Sequence, residues 1–362
     1  MQRLKAIDFF CGGGGMTCGL RQAGVDVLAG IDFDLEARET YEINNPGSTF
    51  IHADIKELDS TFLQSSFGIK KNDDYLLFVG CSPCQYYSII NTNKEKSRNS
   101  KDLLNHFARF IDFYRPGFVL VENVPGIVTN KESVLPSFLD DLQNLGYKNI
   151  KYGVLDLSYY GIPQSRKRFS LIATRLELPY LTLPDRDKKR SLVRDFLGEH
   201  NGFPKVDAGH RDNSFFCHTV AGLSQKSLQR IRKTSHNGGS RAEWAEDSNL
   251  QLKCFTGRDN CFKDTFGRIW WDRPAPTITT KFFSLSNGRF GHPEEDRALS
   301  IREGATLQTF PKSYKFISGS IATSARLIGN AVPCEYARRV GLHIQRLIDN
   351  YDSKAKKITT IL

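Results

Sequence analysis

Residues 6–15, Ala-Ile-Asp-Phe-Phe-Cys-Gly-Gly-Gly-Gly, predict the architecture of the chain. The first six form a short apolar strand pattern, and a helix pattern follows the glycines from residue 16 to 23. A strand, a glycine turn and a helix open a nucleotide-type βαβ unit. The glycines allow a tight turn and close approach of a ligand. No Gly-Lys-Ser/Thr follows, which excludes a P-loop.

Acidic residues follow the next two predicted strands, residues 25–31 and 48–53. Asp32 comes about 20 residues after the glycines, the spacing at which an acid meets ribose hydroxyls. Phe33 beside it is suited to lie on an adenine. Capping of the next helix by Asp32 and a core position for Phe33 remain open. With Asp54 after the third strand, the pattern predicts a mononucleotide-like pocket.

A candidate nucleophile follows another apolar run, residues 75–79, in the sequence Gly-Cys-Ser-Pro-Cys-Gln of residues 80–85. Cys84 comes at the carboxyl end of a buried strand, where open α/β sheets bind ligands. Cys81 and Cys84 also form a Cys-x-x-Cys pair, which leaves a redox pair, half a zinc site or two buried thiols open. The polar segment 85–100 is interpreted as a lid over nucleic acid or as a solvated loop.

Charged residues at two later strands complete the candidate site. Glu122 ends the strand pattern of residues 117–121, parallel to the strand before Cys84, and is expected in the same crevice. Arg166 and Arg168 are expected to share one face of a strand. Two guanidinium groups there suit a phosphate or a polarised carbonyl, although solvated edge-strand charge is the alternative.

Length and composition bound the class of protein. The chain has 362 residues, 40% of them hydrophobic, which is enough for two domains. A net charge of +10 favours a polyanionic partner such as nucleic acid. Eight scattered cysteines suit free thiols in a reducing cytosol. No signal peptide and no membrane span are predicted. The loop-rich residues 176–272 contain histidines and cysteines without a zinc spacing, so no metal is expected.

Six motifs in order resemble the DNA (cytosine-5)-methyltransferase family, and residues 292–297 and 302–311 resemble its bacterial restriction-modification branch. The resemblance implies an α/β fold with a mostly parallel doubly wound sheet, a Rossmann-like S-adenosylmethionine-dependent methyltransferase, and a smaller irregular target-recognition domain. The motifs are residues 8–15, 83–85, 122–124, 164–168, 273–279 and 329–330.

The resemblance assigns the catalytic roles. The Cys84 thiolate adds to C6 of a cytosine flipped out of duplex DNA, so that C5 becomes nucleophilic and takes the methyl group of S-adenosylmethionine. Glu122, protonated or sharing a proton, contacts N3 and the amino group. Arg166 and Arg168 hold the ring carbonyl and the backbone and favour the thiolate. Cys81 has no catalytic counterpart and is interpreted as packing.

The cofactor residues follow from the same resemblance. Glycines line the methionine side, Asp32 takes the ribose hydroxyls, and Asp54 takes the adenine amino group. Many relatives carry glutamate at position 32, and the shorter aspartate weakens that assignment slightly. The implied cofactor-binding residues are Phe10, Gly12, Gly14, Gly15, Asp32, Phe33, Asp54, Ile55 and Asn330.

The implied organisation is a catalytic domain of residues 1–178 and 318–362 and a target-recognition domain of residues 179–317. The expected partner is double-stranded DNA, with a separately encoded restriction endonuclease left open. A cytoplasmic bacterial monomer that does not bind membranes is expected.

Two other functions remain open. The tRNA-type member of the family uses the same catalytic motifs, and residues 254–256, Cys-Phe-Thr, superficially resemble its signature, although residues 257–260 do not continue it. A catalytically silent DNA-binding module is the second. A methylase of exocyclic amines would need an Asp/Asn-Pro-Pro-aromatic motif, which does not occur in this sequence.

Overall fold

The computed structural model describes residues 3–82, 102–178, 180–255 and 263–361, the last ten or so as backbone only. The chain forms two compact units. The larger unit comprises residues 1–156, 167–186 and 332–362, and the smaller unit comprises residues 157–166 and 187–331. Relative to the expected domains, residues 157–166 and 318–331 fall in the smaller unit and residues 179–186 in the larger one.

Most described strands belong to one sheet in the larger unit. The described strands are β1 (Lys5–Phe9), β2 (Asp26–Asp32), β3 (Thr49–His52), β4 (Leu76–Gly80), β5 (Phe118–Asn123), β6 (Asn149–Asp156), β7 (Gln164–Ser165), β8 (Lys167–Thr174) and β9 (Ala275–Pro276). Seven of them pair in the order β3-β2-β1-β4-β5-β8-β6, while β7 and β9 form a small sheet. Pairing is parallel from β3 through β5, and β8 is antiparallel to both of its neighbours. The predicted mostly parallel sheet is confirmed.

Helices follow most of the strands. The described helices are α1 (Gly15–Gln22), α2 (Arg38–Asn44), α3 (Phe62–Phe67), α4 (Leu103–Tyr114), α5 (Gly126–Thr129), α6 (Leu135–Asn144), α7 (Gln225–Lys233), α8 (Ile301–Leu307), α9 (Ile321–Asn330) and α10 (Cys334–Ile361). The helix predicted for residues 16–23 corresponds to α1, with both ends shifted by one residue. No helix in the described ranges has both the length and the apolar character needed to cross a bilayer.

The centre of the larger unit is an apolar layer between the sheet and α4. Every residue of β4 and β5 is buried, as expected for strands covered on both faces. The Phe9 ring packs against the rings of Phe107 and Phe110, with centroids 5.0 and 5.1 Å apart. A Cβ at Gly80 would lie 2.5 Å from the Phe107 ring, so only glycine fits there. This packing holds the carboxyl ends of the parallel strands at one edge.

The smaller unit has little regular structure, and buried arginines compensate for it. Arg268, Arg297 and Arg302 are fully buried. Arg268 donates to the carbonyls of Thr234, Ile231 and His292, and Arg302 donates to those of neighbouring loops. Loop carbonyls lack ladder partners, and a guanidinium group carries five donors that can satisfy them.

Arg166 and Arg168 do not share a strand face, contrary to the prediction. Arg166 lies between β7 and β8, which belong to different sheets. Strand β7 pairs with β9, whereas β8 pairs with β5 and β6. The chain changes sheets at Arg166, so the alternation of side chains along one strand does not apply.

Candidate active site

The glycine turn and Asp32 are joined by direct hydrogen bonds. The backbone N–H of Gly12 donates to Asp32 Oδ2 over 2.8 Å, and that of Asp34 donates to Oδ1 over 2.9 Å. Gly12 and Gly14 have positive φ angles of 49° and 86°, a region that favours glycine. A Cβ on Gly12 would have no atom within 4 Å, so the turn borders open space. Asp32 therefore orients the turn as well as ending β2.

Phe33 and the segment after β3 lie at the carboxyl ends of the neighbouring parallel strands β2 and β3. Phe33 is 68% exposed, which rules out the alternative that it is a core residue. His52 Nε2 lies 2.9 Å from the Phe33 carbonyl oxygen, and Ile55 is buried. Asp54 Oδ1 accepts a hydrogen bond from the backbone N–H of Lys56 over 2.9 Å.

Arg109 on α4 is a positioning residue that the sequence analysis missed. Its guanidinium group donates to the carbonyls of Ile55 and Leu58 over 2.8 and 2.7 Å. These two bonds hold the segment that carries Asp54 and Ile55. An arginine on the surface pattern of a helix gives no sequence signal for this role.

Glu122 and Arg168 form an ion pair at the end of β5. Arg168 Nε lies 3.0 Å from Glu122 Oε1, with side-chain exposures of 14% and 9%. Antiparallel pairing of β5 with β8 places Glu122 opposite Ser170, which brings the arginine across from the carboxylate. The two charged groups are close and largely shielded from water, but Glu122 Oε1 has no hydrogen-bond partner among the described residues.

Cys84 and the expected lid, residues 85–100, lie outside the described residues. The chain is described up to Ser82, whose Oγ lies 3.4 Å from Asn123 Nδ2. Cys81 is half-buried, and its backbone N–H donates to the carbonyl of Phe9 over 3.4 Å. Residues 81 and 82 thus leave β4 beside the end of β5.

Arg166 and Asn330 both lie in the smaller unit. The Arg166 guanidinium group is buried and donates to the carbonyls of Ile278 and Ala331 over 3.2 and 3.1 Å. Asn330 is exposed and is the last residue of α9.

Asp8 lies in a buried polar network behind the glycine turn. Thr17 Oγ1 donates to Asp8 Oδ2 over 2.7 Å and lies 3.1 Å from the hydroxyl of Tyr41. The Tyr41 hydroxyl lies 2.7 Å from Ser48 Oγ. Burial raises the pKa of Asp8 to about 7, partly offset by the Thr17 hydrogen bond. Burial also raises the pKa of the Cys11 thiol well above its usual range, with added repulsion from Asp32 and Asp8.

A group of potential metal ligands lies elsewhere, in the smaller unit. His292, Glu295 and Glu303 have ligand atoms within 4.8 Å of one another. Arg297 already donates to Glu303 over 2.7 and 2.8 Å and to Glu295 over 3.0 Å. A cation would have to compete with that guanidinium group, so the geometry is that of a buried charge network.

Comparisons with known proteins show the family of the chain. Residues 4–346 match the model of the C-5 cytosine-specific DNA methylase family. The Type II methylase M.HgiDII of Herpetosiphon aurantiacus is 37% identical over 97% of both chains. The Type II methyltransferase M1.HphI of Haemophilus parahaemolyticus is 29% identical over 96% of this chain and 88% of the relative.

A solved structure is similar over almost the whole chain. It is that of an E. coli prophage protein assigned as a DNA modification methyltransferase, with a TM-score of 0.73 and 23% identity over 96% of this chain and 99% of the other. This likeness concerns the fold alone. The family match and the relative that is 37% identical confirm the resemblance inferred from the motifs. The chain belongs to the C-5 cytosine-specific DNA methylase family, whose members transfer a methyl group from S-adenosylmethionine to C5 of cytosine in DNA.

Proposed function

We propose that this chain is the modification methyltransferase of a bacterial Type II restriction-modification system and acts on a specific sequence in double-stranded DNA. The observation that carries the proposal is its 37% identity, over 97% of both chains, to a Type II methylase. Methylation of one cytosine would protect host DNA from a separately encoded endonuclease. We propose that the enzyme acts as a monomer in the cytoplasm and needs no metal.

The substrate chemistry is assigned to Cys84, Glu122 and Arg168. The target cytosine must leave the base stack, because its C5 and C6 atoms are inaccessible in a duplex. The Cys84 thiolate forms a bond to C6, which makes C5 nucleophilic. After methyl transfer C5 loses its proton to a base, and elimination of the thiolate breaks the bond to C6. The ion pair between Glu122 and Arg168 supports a role in holding the N3 and carbonyl side of the ring.

The residues at the sheet edge fit a bound S-adenosylmethionine. The cofactor would supply an activated methyl group. The open space beside Gly12 and the exposed ring of Phe33 suit a phosphate-free ligand that carries an adenine ring. Asp32 would accept hydrogen bonds from the ribose hydroxyls while it holds the turn. The remaining proposed contacts are Phe10, Gly14, Gly15, Asp54, Ile55 and Asn330.

Measurement of methyl transfer tests the proposed function. The purified full chain is incubated with S-adenosylmethionine and either duplex DNA or total tRNA, and the nucleosides are then analysed by mass spectrometry. We expect 5-methylcytosine in DNA alone, and bisulfite sequencing then identifies the modified sequence. Methylation of tRNA alone would favour the RNA-modifying alternative. DNA binding without a covalent adduct on 5-fluorocytosine DNA would favour the silent binding module.

Substitution Cys84→Ser tests the nucleophile. We expect loss of methyl transfer, with S-adenosylmethionine affinity unchanged, because serine is a much weaker nucleophile at neutral pH. Cys81→Ser is the matched control and should retain activity. If Cys84→Ser turned over at a near-normal rate, the assignment of Cys84 would be wrong.

A further inference from the structure

Two fully buried glutamines connect three separate segments of the smaller unit. Gln164 Nε2 donates to Gln308 Oε1 over 2.7 Å and to the carbonyl of Leu307 over 2.8 Å. Gln164 Oε1 accepts a hydrogen bond from the backbone N–H of Ile278 over 3.0 Å. Both side chains have no exposed surface. A buried amide is costly unless its donors and acceptor are paired, and here both glutamines are paired.

The second glutamine caps the end of α9. Gln308 Nε2 donates to the carbonyls of Ile328 and Ala331 over 2.7 and 3.1 Å. The last carbonyls of a helix have no partner within the helix. Gln308 therefore satisfies carbonyl groups at the point where the chain leaves α9.

Arg166 holds the same segment. Its guanidinium group donates to the carbonyl of Ala331 over 3.1 Å and approaches that of Gly329 at 3.5 Å. It also donates to the carbonyl of Ile278 over 3.2 Å. Arg166 and Gln164 thus both bind Ile278, while Arg166 and Gln308 both bind Ala331.

Close backbone packing restricts the segment from another side. A Cβ at Gly329 would lie 2.4 Å from the carbonyl carbon of Thr279 and 2.5 Å from the backbone nitrogen of Thr280. A side chain there would push the two backbones apart. Between these restrained neighbours, Asn330 alone projects to the exposed surface of the smaller unit.

We propose that Gln308, supported by Gln164 and Arg166, is a positioning residue that fixes the backbone of residues 329–331 and so presents Asn330 to the cofactor. This rests on the proposed assignment of Asn330 to S-adenosylmethionine. Gln308 lies outside the six motifs that identified the family. Arg166 acts through the same backbone segment, which adds a positioning role to the substrate contact expected from the sequence.

Substitution Gln308→Met tests the proposal, because methionine fills a similar volume but makes none of the amide hydrogen bonds. Binding of S-adenosylhomocysteine and of duplex DNA is measured by calorimetry on the full chain. We expect cofactor affinity to fall by about tenfold, the equivalent of one or two lost hydrogen bonds. DNA affinity measured without cofactor should change by less than about twofold.

Thr234→Val is the matched control within the same unit. Thr234 Oγ1 accepts a hydrogen bond from Trp244 Nε1 over 3.0 Å and donates to the carbonyl of Arg230 over 2.9 Å. The substitution removes two buried hydrogen bonds that do not involve residues 329–331. We expect a comparable loss of stability with unchanged cofactor affinity. Equal losses of cofactor affinity in both variants would show a general stability effect and overturn the proposal.

Gly329→Ala and Asn330→Ala complete the experiment. Gly329→Ala displaces the backbone of residues 329–331 without altering the glutamine side chains, so it should weaken cofactor binding. This variant tests the proposal even if Gln308→Met fails to fold. Normal cofactor affinity in folded Gln308→Met or in Gly329→Ala overturns the positioning role. Normal affinity in Asn330→Ala overturns it too, because Asn330 would then not bind the cofactor. None of these results decides the proposed function, which is tested separately by the methyl transfer assay on the unmodified chain.

Discussion

At the scale of single residues, Asp32 holds the glycine turn and is also proposed to bind the ribose of the cofactor. Each of its carboxylate oxygens accepts one backbone hydrogen bond, from Gly12 and from Asp34. A carboxylate oxygen has room for a further donor, so a ribose hydroxyl and the turn can be held together. Loss of this side chain would disturb the shape of the glycine turn and would also remove the proposed contact with the ribose.

Asp32→Ala should therefore raise the KM for S-adenosylmethionine by about tenfold or more, from the loss of charge-assisted hydrogen bonds. The KM for DNA should change much less. Asp26→Ala, at the exposed opposite end of β2, removes the same charge as a control. Steady-state kinetics with each substrate varied separately measures both effects. A larger change for DNA would refute the ribose assignment.

Glu122 is the second residue whose substitution tests the proposed mechanism. Glu122→Gln keeps the shape of the side chain but removes the carboxylate that pairs with Arg168 and the capacity to exchange a proton. We expect kcat to fall by roughly 10²–10⁴-fold, the usual contribution of a proton-transferring group, with cofactor affinity unchanged. Asp112→Asn, in an exposed pair with Arg115, should leave single-turnover rates unaffected. Near-normal turnover of Glu122→Gln would remove it from the mechanism.

At the scale of secondary-structure elements, the Asp8 network joins β1, α1 and α2. Asp8 contributes the carboxyl group, Thr17 on α1 bridges, and Tyr41 on α2 continues the chain of hydrogen bonds. Oδ1 of Asp8 is buried and has no hydrogen-bond partner among the described residues. Burial disfavours the charged form of this carboxyl group and so favours the protonated form.

Asp8→Asn should make the larger unit more stable at alkaline pH. The pKa of Asp8 rises from 3.8 to about 7 on folding, so the folded state binds the proton more tightly. Stability is therefore lost as pH rises through this range. At pH 8 the asparagine variant should gain about 1–4 kcal/mol over the unmodified chain, measured by hydrogen exchange of β1 and α1. Equal stability of the two proteins at pH 8 would contradict a neutral Asp8.

At the scale of the whole molecule, the shifted pKa values predict opposite responses of stability to pH in the two units. In the smaller unit, burial lowers the pKa of His292 to about 4, partly offset by Glu303. Arg297 holds the pKa of Glu303 below its usual value against the effect of burial. Both groups bind protons more readily in the unfolded chain, so stability falls as pH decreases below about 6.5.

The three tryptophans provide a measurement of this effect. Trp244, Trp270 and Trp271 all belong to the smaller unit, so their fluorescence follows its unfolding. Between pH 7 and pH 5 we expect a loss of roughly 2 kcal/mol from His292 alone. His292→Phe, which cannot be protonated, should flatten the profile above pH 5. An unchanged pH dependence in that variant would show that His292 does not control it.

Local sequence patterns made the sheet and part of the candidate site predictable. Buried parallel strands are continuous apolar runs, and a turn with positive φ angles needs glycine, so β1, β2, β4 and β5 could be recognised without a structure. The ends of the predicted strands that became β2, β3 and β5 indicated where Asp32, Asp54 and Glu122 would lie. The structure then joined Asp32 to the glycine turn and paired Glu122 with Arg168.

The sequence by itself determined the fold class and the ends of the main parallel strands, because these depend on short patterns whose physics is complete within a few neighbouring residues. The family followed from the resemblance of its motifs. Tertiary structure alone decided that Arg166 and Arg168 separate into different units and that Gln308 caps α9. It also decided that arginines are buried in the smaller unit. The reason is that such roles depend on which carbonyl groups remain without partners once distant segments have packed, and no local pattern encodes that.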